Sequence, residues 1–232
     1  MLAGVRRLVR RTLWDQVPRD HWQTTPELRR RQWVSVLVVV IGAVVLGLSL
    51  RIAPGSRAFY PATLGLACLW TLGAFASGPL HLGRTLQGDD PGPRPLLVPL
   101  GYGALLALVF VLGALVVRQV PWLDHQVGHV LDHADHGSVP LLVVITAVNG
   151  VAEELFFRGA LYAAITRRPV EATTAAYVVA TLATGNVMLT FASVLLGALV
   201  GLERRASGGI LAPIITHVTW SLLMLLLLPL LF

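Results

Sequence analysis

The stretch "VPLLVVITAVNGVAEELFFRGALYAAIT", residues 139–166, is apolar over most of its length yet carries Glu153, Glu154 and Arg158. A helix of that length crosses the ~30 Å hydrocarbon core of a bilayer with turns to spare. Each ionised side chain at the centre of such a helix costs ~3 kcal/mol even on the lenient insertion scale. Three of them cost on the order of 8 kcal/mol before any pairing. Something offsets that cost, and the offset is either structural or chemical.

Composition sets the class. The 232 residues are 55% hydrophobic and only 13% charged, with a mean hydropathy of +0.72. Soluble domains carry roughly twice that charge fraction. Long apolar runs recur along the chain, so the sequence predicts an all-α, polytopic transmembrane helix bundle. The single cysteine, Cys68, lies in an apolar segment, forms no internal disulfide and reads as packing. All 18 basic side chains are arginine, which has no physical account here.

Eight arginines fall before Trp33: Arg6, Arg7, Arg10, Arg11, Arg19, Arg29, Arg30 and Arg31. No long apolar core precedes Trp33, so no cleavable signal peptide is expected. Leu2, Val5, Val9, Leu13 and Trp14 recur at helical spacing opposite the arginine pairs, the pattern of a short basic helix on an anionic membrane surface. Membrane lipid is therefore the expected partner of the +6 formal charge. No aromatic-interleaved basic stripe suggests nucleic acid, and none is expected as a partner.

Four divisions follow: a basic segment over 1–32, three spans within 33–118, an external His/Asp-rich loop over 119–138, and a C-terminal core over 139–232. The spans are read at Trp33 to Leu50, Phe59 to Ser77, Leu96 to Val117, Val139 to Thr166, Ala172 to Leu202 and Ile210 to Leu231. Gly, Pro and Asp mark the segment from Gly78 to Pro95 as a loop. The apolar run from Ala172 to Leu202 is interrupted by Thr184-Gly185-Asn186. It is too long for one crossing and too short for two, which predicts two short helices meeting at Gly185-Asn186. The total is about seven membrane-embedded helices, two of them short.

Arginine placement orients the chain in a cell membrane. With the N-terminus cytoplasmic, Arg84, Arg94, Arg167, Arg168, Arg204 and Arg205 share its side. Only Arg51, Arg57 and Arg118 fall outside.

Within the opening stretch, Glu154 and Arg158 are four apart with the acid first, the favourable order for a pair on one helix face. Glu153 points about 100° away and cannot share that arginine in the same geometry. It lies one turn beyond Asn149. A glutamate left unneutralised in a low-dielectric site can act as a general base. The other reading is a polar staple between helices. A second polar site lies in "GGILAPIITHVTWS", where His217 has Ser221 on the same face one turn later. A histidine in hydrocarbon needs a polar partner, and Glu153 and Asn186 are the candidates.

At these residues the sequence resembles the CAAX-protease and bacteriocin-processing family of intramembrane endopeptidases, also called the Abi family. Glu153-Glu154-x-x-x-Arg158 looks like its first signature, and "GLERRASGGILAPIITHVTWSLLM" resembles its last. The resemblance covers about Val139 to Leu228. It implies hydrolysis of peptide bonds by a glutamate-activated water, with a peptide or membrane protein as substrate. Glu153 would be the base, Glu154 and Arg158 the supporting pair, and His217 the oxyanion donor. Some accounts of the family assign these groups to a metal, so Zn is implied as a possible cofactor; the residues alone call for none. Two positions depart from the pattern. Asn186 stands where the second signature has His, and Ser221 where the last has Asn. Asparagine can orient water but cannot take a proton. A member that has lost catalysis and serves as a scaffold or immunity protein is thus the alternative.

A third reading comes from "DHQVGHVLDHADH", which spaces His125, His129 and His133 four apart, with Asp132, Asp135 and His136 nearby. On a helix the three histidines line one face and could bind Zn²⁺, which suits a metal or cation transporter. Such transporters carry interrupted helices in both halves of the chain, and only the C-terminal half has one here.

Overall fold

The computed structural model describes residues 2–17, 23–84, 86–87, 90–91, 96–135 and 138–232. Arg19, Arg94 and His136 lie outside the described residues, as do the side chains of Leu2, His133 and Asp135.

The bundle is helical, as its composition requires. Six helices are long and apolar enough to cross a membrane: α2 (Thr25–Ser49), α3 (Phe59–Ser77), α4 (Leu97–Val117), the continuous run Val139–Ala164, α9 (Val187–Ser207), and α10 (Leu211–Leu227) with its 3₁₀ extension to Leu230. They are apolar on their outer faces as well as their inner ones. Val36, Leu37, Val40, Ile41, Val44 and Leu48 of α2 are all exposed, as membrane-facing residues are. The run Val139–Ala164 is built from α6 (Val139–Glu154), a π-helical turn (Leu155–Leu161) and α7 (Tyr162–Ala164).

The first span starts earlier than its apolar run because Thr24 and Glu27 form a capping box ahead of Pro26. The Thr24 N–H donates to Glu27 Oε2 at 2.7 Å, and the helix begins at Thr25 rather than near Trp33. The interrupted run divides where expected, into α8 (Pro169–Leu182) and α9, around a left-handed Gly185 with φ 72°. Only α8, with 14 residues, is short; α9 has 21 and its charged end Glu203-Arg204-Arg205 is helical too. The reading of two short helices is corrected to one. The His/Asp-rich segment between α4 and α6 is more ordered than a loop, forming α5 (Pro121–Asp135). The Gly78 to Pro95 segment carries one two-residue antiparallel pairing, β1 (Leu86–Gln87) with β2 (Asp90–Pro91).

The core lies where α2, α3, α6 and the π turn meet. Trp70 of α3, 1% exposed, stacks on Phe156 with centroids 4.9 Å apart and tilts against Phe157 at 5.1 Å. Gly42 of α2 makes room for the indole, since a Cβ there would collide with its ring. Cys68 is exposed on α3 and lies outside the core.

The basic N-terminus forms α1 (Leu2–Val9) continued by a π-helical turn (Arg10–Trp14). It is held to the bundle as well as being amphipathic. Arg205 donates to the Leu13 carbonyl at 3.0 Å and stacks on Trp14, and Thr12 and Tyr102 share a hydroxyl hydrogen bond of 2.6 Å.

Candidate active site

Glu153 and Glu154 sit at the end of α6, where the helix widens into the π turn. Turns of this kind recur at functional sites because they redirect side chains without ending the helix. Glu154 and Arg158 are both fully buried, and the guanidinium Nη1 donates to Glu154 Oε1 at 3.1 Å. Arg158 Nη2 donates to the Gly197 carbonyl of α9 at 3.2 Å, and the cation lies over the Tyr177 ring at 5.0 Å. Neutralisation within one helix, a carbonyl and an aromatic face together offset the burial of this pair.

His217 comes to the same carboxylate from α10. Its Nδ1 is 2.7 Å from Glu154 Oε1. A carboxylate paired with arginine can only accept, so Nδ1 carries the hydrogen that points at Glu154. The other ring nitrogen faces Glu153: Nε2 is 3.9 Å from Glu153 Oε2. The partner of His217 is thus Glu154 first and Glu153 across a gap.

Glu153 keeps 18% side-chain exposure, against 0% for Glu154. It has no arginine of its own. Its hydrogen bond comes from Tyr177 of α8, whose hydroxyl donates to Oε2 at 2.6 Å. Tyr177 was not legible as a site residue. It sits among apolar residues in "TTAAYVVATL", where a tyrosine reads as packing, and only the approach of α8 to α6 brings it to the acid.

Asn186 is not brought to this cluster. It is the N-cap of α9: its Oδ1 accepts from the Met188 and Leu189 amides at 3.0 Å each, and its Nδ2 donates to the Gln126 carbonyl of α5 at 2.7 Å. Among the described residues no hydrogen bond joins it to Glu153, Glu154 or His217. The expectation that Asn186 is a partner of His217 is corrected for that reason: the left-handed Gly185 starts a helix there, and its first amides take the side chain. Ser221 also stands apart, on the wall of an apolar cavity of about 490 Å³ bounded by Phe110, Val127, Leu142, Met188 and Trp220. Trp220 lines that cavity, and its ring centroid is 6.2 Å from that of His217.

The donors present do not make a zinc site. Glu154 Oε1 is taken by Arg158 and His217 while its Oε2 is buried without a hydrogen-bond partner, and with Glu153 and the second imidazole nitrogen these donors do not converge as the three protein ligands of a catalytic zinc do, among the described residues. On α5, His125 and His129 are described but the His133 side chain is not. Among the described residues no group of three or more potential ligands converges.

Fold and site together define a polytopic helical membrane protein with a Glu–Glu–Arg–His cluster buried midway along its helices. Residues 135–223 match the family model described as Type II CAAX prenyl endopeptidase Rce1-like, so this stretch, under half of the chain, carries an Rce1-like domain. The match falls on the CAAX-protease and bacteriocin-processing family that the two signatures resemble, a family of membrane peptidases. No curated protein and no solved structure matches the chain.

Proposed function

We propose that this protein is an intramembrane endopeptidase in which Glu153 activates water. The observation that carries the reading is the division of labour between two adjacent acids. Glu154 is spent on Arg158 and His217, whereas Glu153 has one neutral donor and faces His217 Nε2 3.9 Å away, and in this reading the ring is neutral and Nε2 offers a lone pair. A water with two hydrogen bonds of ~2.8 Å, one to each atom, spans that gap at an angle of about 90° at its oxygen.

In the proposed step Glu153 takes a proton from this water, and the hydroxide adds to the scissile carbonyl carbon. His217 orients the water through Nε2 and is itself held by Glu154. Once Glu153 is protonated, the Tyr177 hydroxyl is released from a carboxylate and turns to the new oxyanion. Glu153 then passes its proton to the leaving nitrogen, and the C–N bond breaks. The products are a carboxylic acid and an amine. Tyr177 thus takes the oxyanion role that the family resemblance implies for His217, and His217 orients the water instead. The match to a prenyl endopeptidase and the apolar cavity beside Trp220 favour a substrate that brings an apolar chain into the bilayer.

A comparison of membrane-fraction peptides between wild-type cells and a Glu153→Gln strain tests the reading. Uncleaved precursors should accumulate in the variant strain. Identical peptide sets at equal protein levels would refute it.

We further propose the cytoplasmic N-terminus. Reporter fusions after Arg168 and after Arg205 are expected to report cytoplasm, and one near His133 the outside. A cytoplasmic signal at His133 would invert the chain.

A further inference from the structure

A second buried carboxylate lies outside the cluster. Glu203 of α9 is 2% exposed, forms no ion pair among the described residues, and leaves Oε2 buried without a hydrogen-bond partner. Its Oε1 is 2.9 Å from the Thr216 hydroxyl oxygen of α10. The same oxygen is 3.0 Å from the Pro99 carbonyl of α4.

The protons in this chain can be counted. A threonine hydroxyl has one hydrogen, and a carbonyl only accepts. With Thr216 donating to Pro99, its lone pairs face Glu203, and a bond between them needs a proton on the carboxyl group. With Thr216 donating to a carboxylate instead, the Pro99 oxygen meets a lone pair with no proton between them, and a buried anion keeps one oxygen bare. No arginine forms an ion pair with Glu203 among the described residues. Arg204 donates to the Arg158 carbonyl at 2.7 Å and stacks on Tyr162, and Arg205 donates to the Leu13 carbonyl. Arg11 lines a small cavity together with Glu203 but is exposed and makes no ion pair with it among the described residues, and the other titratable groups facing Glu203, Tyr102 and Glu154, bring no positive charge.

We propose that Glu203 is a resident proton site: a neutral carboxylic acid that donates to Thr216, which donates to the Pro99 carbonyl, so that α9, α10 and α4 are joined beside His217. Thr216 precedes His217 on α10, so the relay fixes the helix that presents the imidazole to Glu154 from one side while Glu154 holds it from the other. Glu203 is then a positioning residue that acts through Thr216. This assignment does not rest on the peptidase reading.

The test uses the purified full-length chain in detergent. Infrared difference spectra between wild type and Glu203→Gln should show loss of one protonated-acid carbonyl band and no loss of carboxylate bands. Glutamine keeps an N–H donor, so its melting temperature should match the wild type, while Glu203→Leu should melt lower. The ¹⁵N signals of His217, assigned with His217→Gln, should shift in Glu203→Leu and return in Glu203→Gln. Thr216→Val, which leaves the acid in place, should move the acid band to higher frequency. Loss of a carboxylate band in Glu203→Gln, or an acid band unmoved by Thr216→Val, overturns the proton assignment. His217 signals unmoved in Glu203→Leu overturn the positioning role.

Discussion

Replacing Glu154 with glutamine should lower the melting temperature in detergent by roughly 10 °C. Arg158 has no exposure, and its only anionic partner among the described residues is Glu154. Removing one member of a buried pair leaves the other charge uncompensated, at ~3–5 kcal/mol. At ~2–4 °C per kcal/mol for a chain of this size, the shift is of that order. His217 adds to it, because the change also removes the charge beside its Nδ1. Glu153→Gln, in contrast, removes no arginine partner and keeps an acceptor for Tyr177, so it should melt close to wild type. The double variant Glu154→Gln/Arg158→Met should recover part of the loss, since apolar replacement of a whole buried pair is far cheaper than breaking it. Equal melting of the two single glutamine variants would show that Glu154 and Arg158 do not depend on each other.

The difference between those two acids was legible from spacing alone. Four residues with the acid first pairs Glu154 with Arg158, and one residue's rotation excludes Glu153. The helical class was equally open, because long apolar runs admit no other use for a charge-poor chain. The α8–α9 break was marked by Gly185 followed by a capping asparagine. The failures have physical causes too. The helix α9 runs past Leu202, where the apolar run stops, because Glu203 and Arg204 are buried against neighbouring elements by contacts that sequence does not display. Asn186 was weighed as a site residue because a polar group in an apolar run must find partners. It does, but they are the amides of its own helix and the carbonyl of Gln126. Tyr177 went unseen for the opposite reason: one aromatic in an apolar helix raises no question until a carboxylate is found 2.6 Å from its hydroxyl.

Peptide cleavage separates Glu153 from Tyr177, and the two should fall in order. Glu153→Gln retains the size and the hydrogen-bond acceptor of the acid but cannot take a proton, so turnover should drop to background; a positioned base alone contributes ~10²–10⁴-fold. Tyr177→Phe leaves Glu153 intact and removes the hydroxyl that is proposed to meet the oxyanion, a change worth about 10²–10³ in kcat with little effect on KM. It also keeps the aromatic face under Arg158, so the fold should hold. Asn186→Ala is the contrast. It removes the cap of α9 and should cost about 1 kcal/mol of stability while leaving cleavage per folded molecule nearly unchanged. The measurement is cleavage of a membrane-inserted peptide by purified protein, each rate divided by the folded fraction. The catalytic reading requires Glu153→Gln to be the most damaging of the three and Asn186→Ala the least. Undiminished cleavage in Glu153→Gln would leave the cluster as a polar staple between α6, α8 and α10, with Arg158 and Glu154 at its centre and no chemistry to perform.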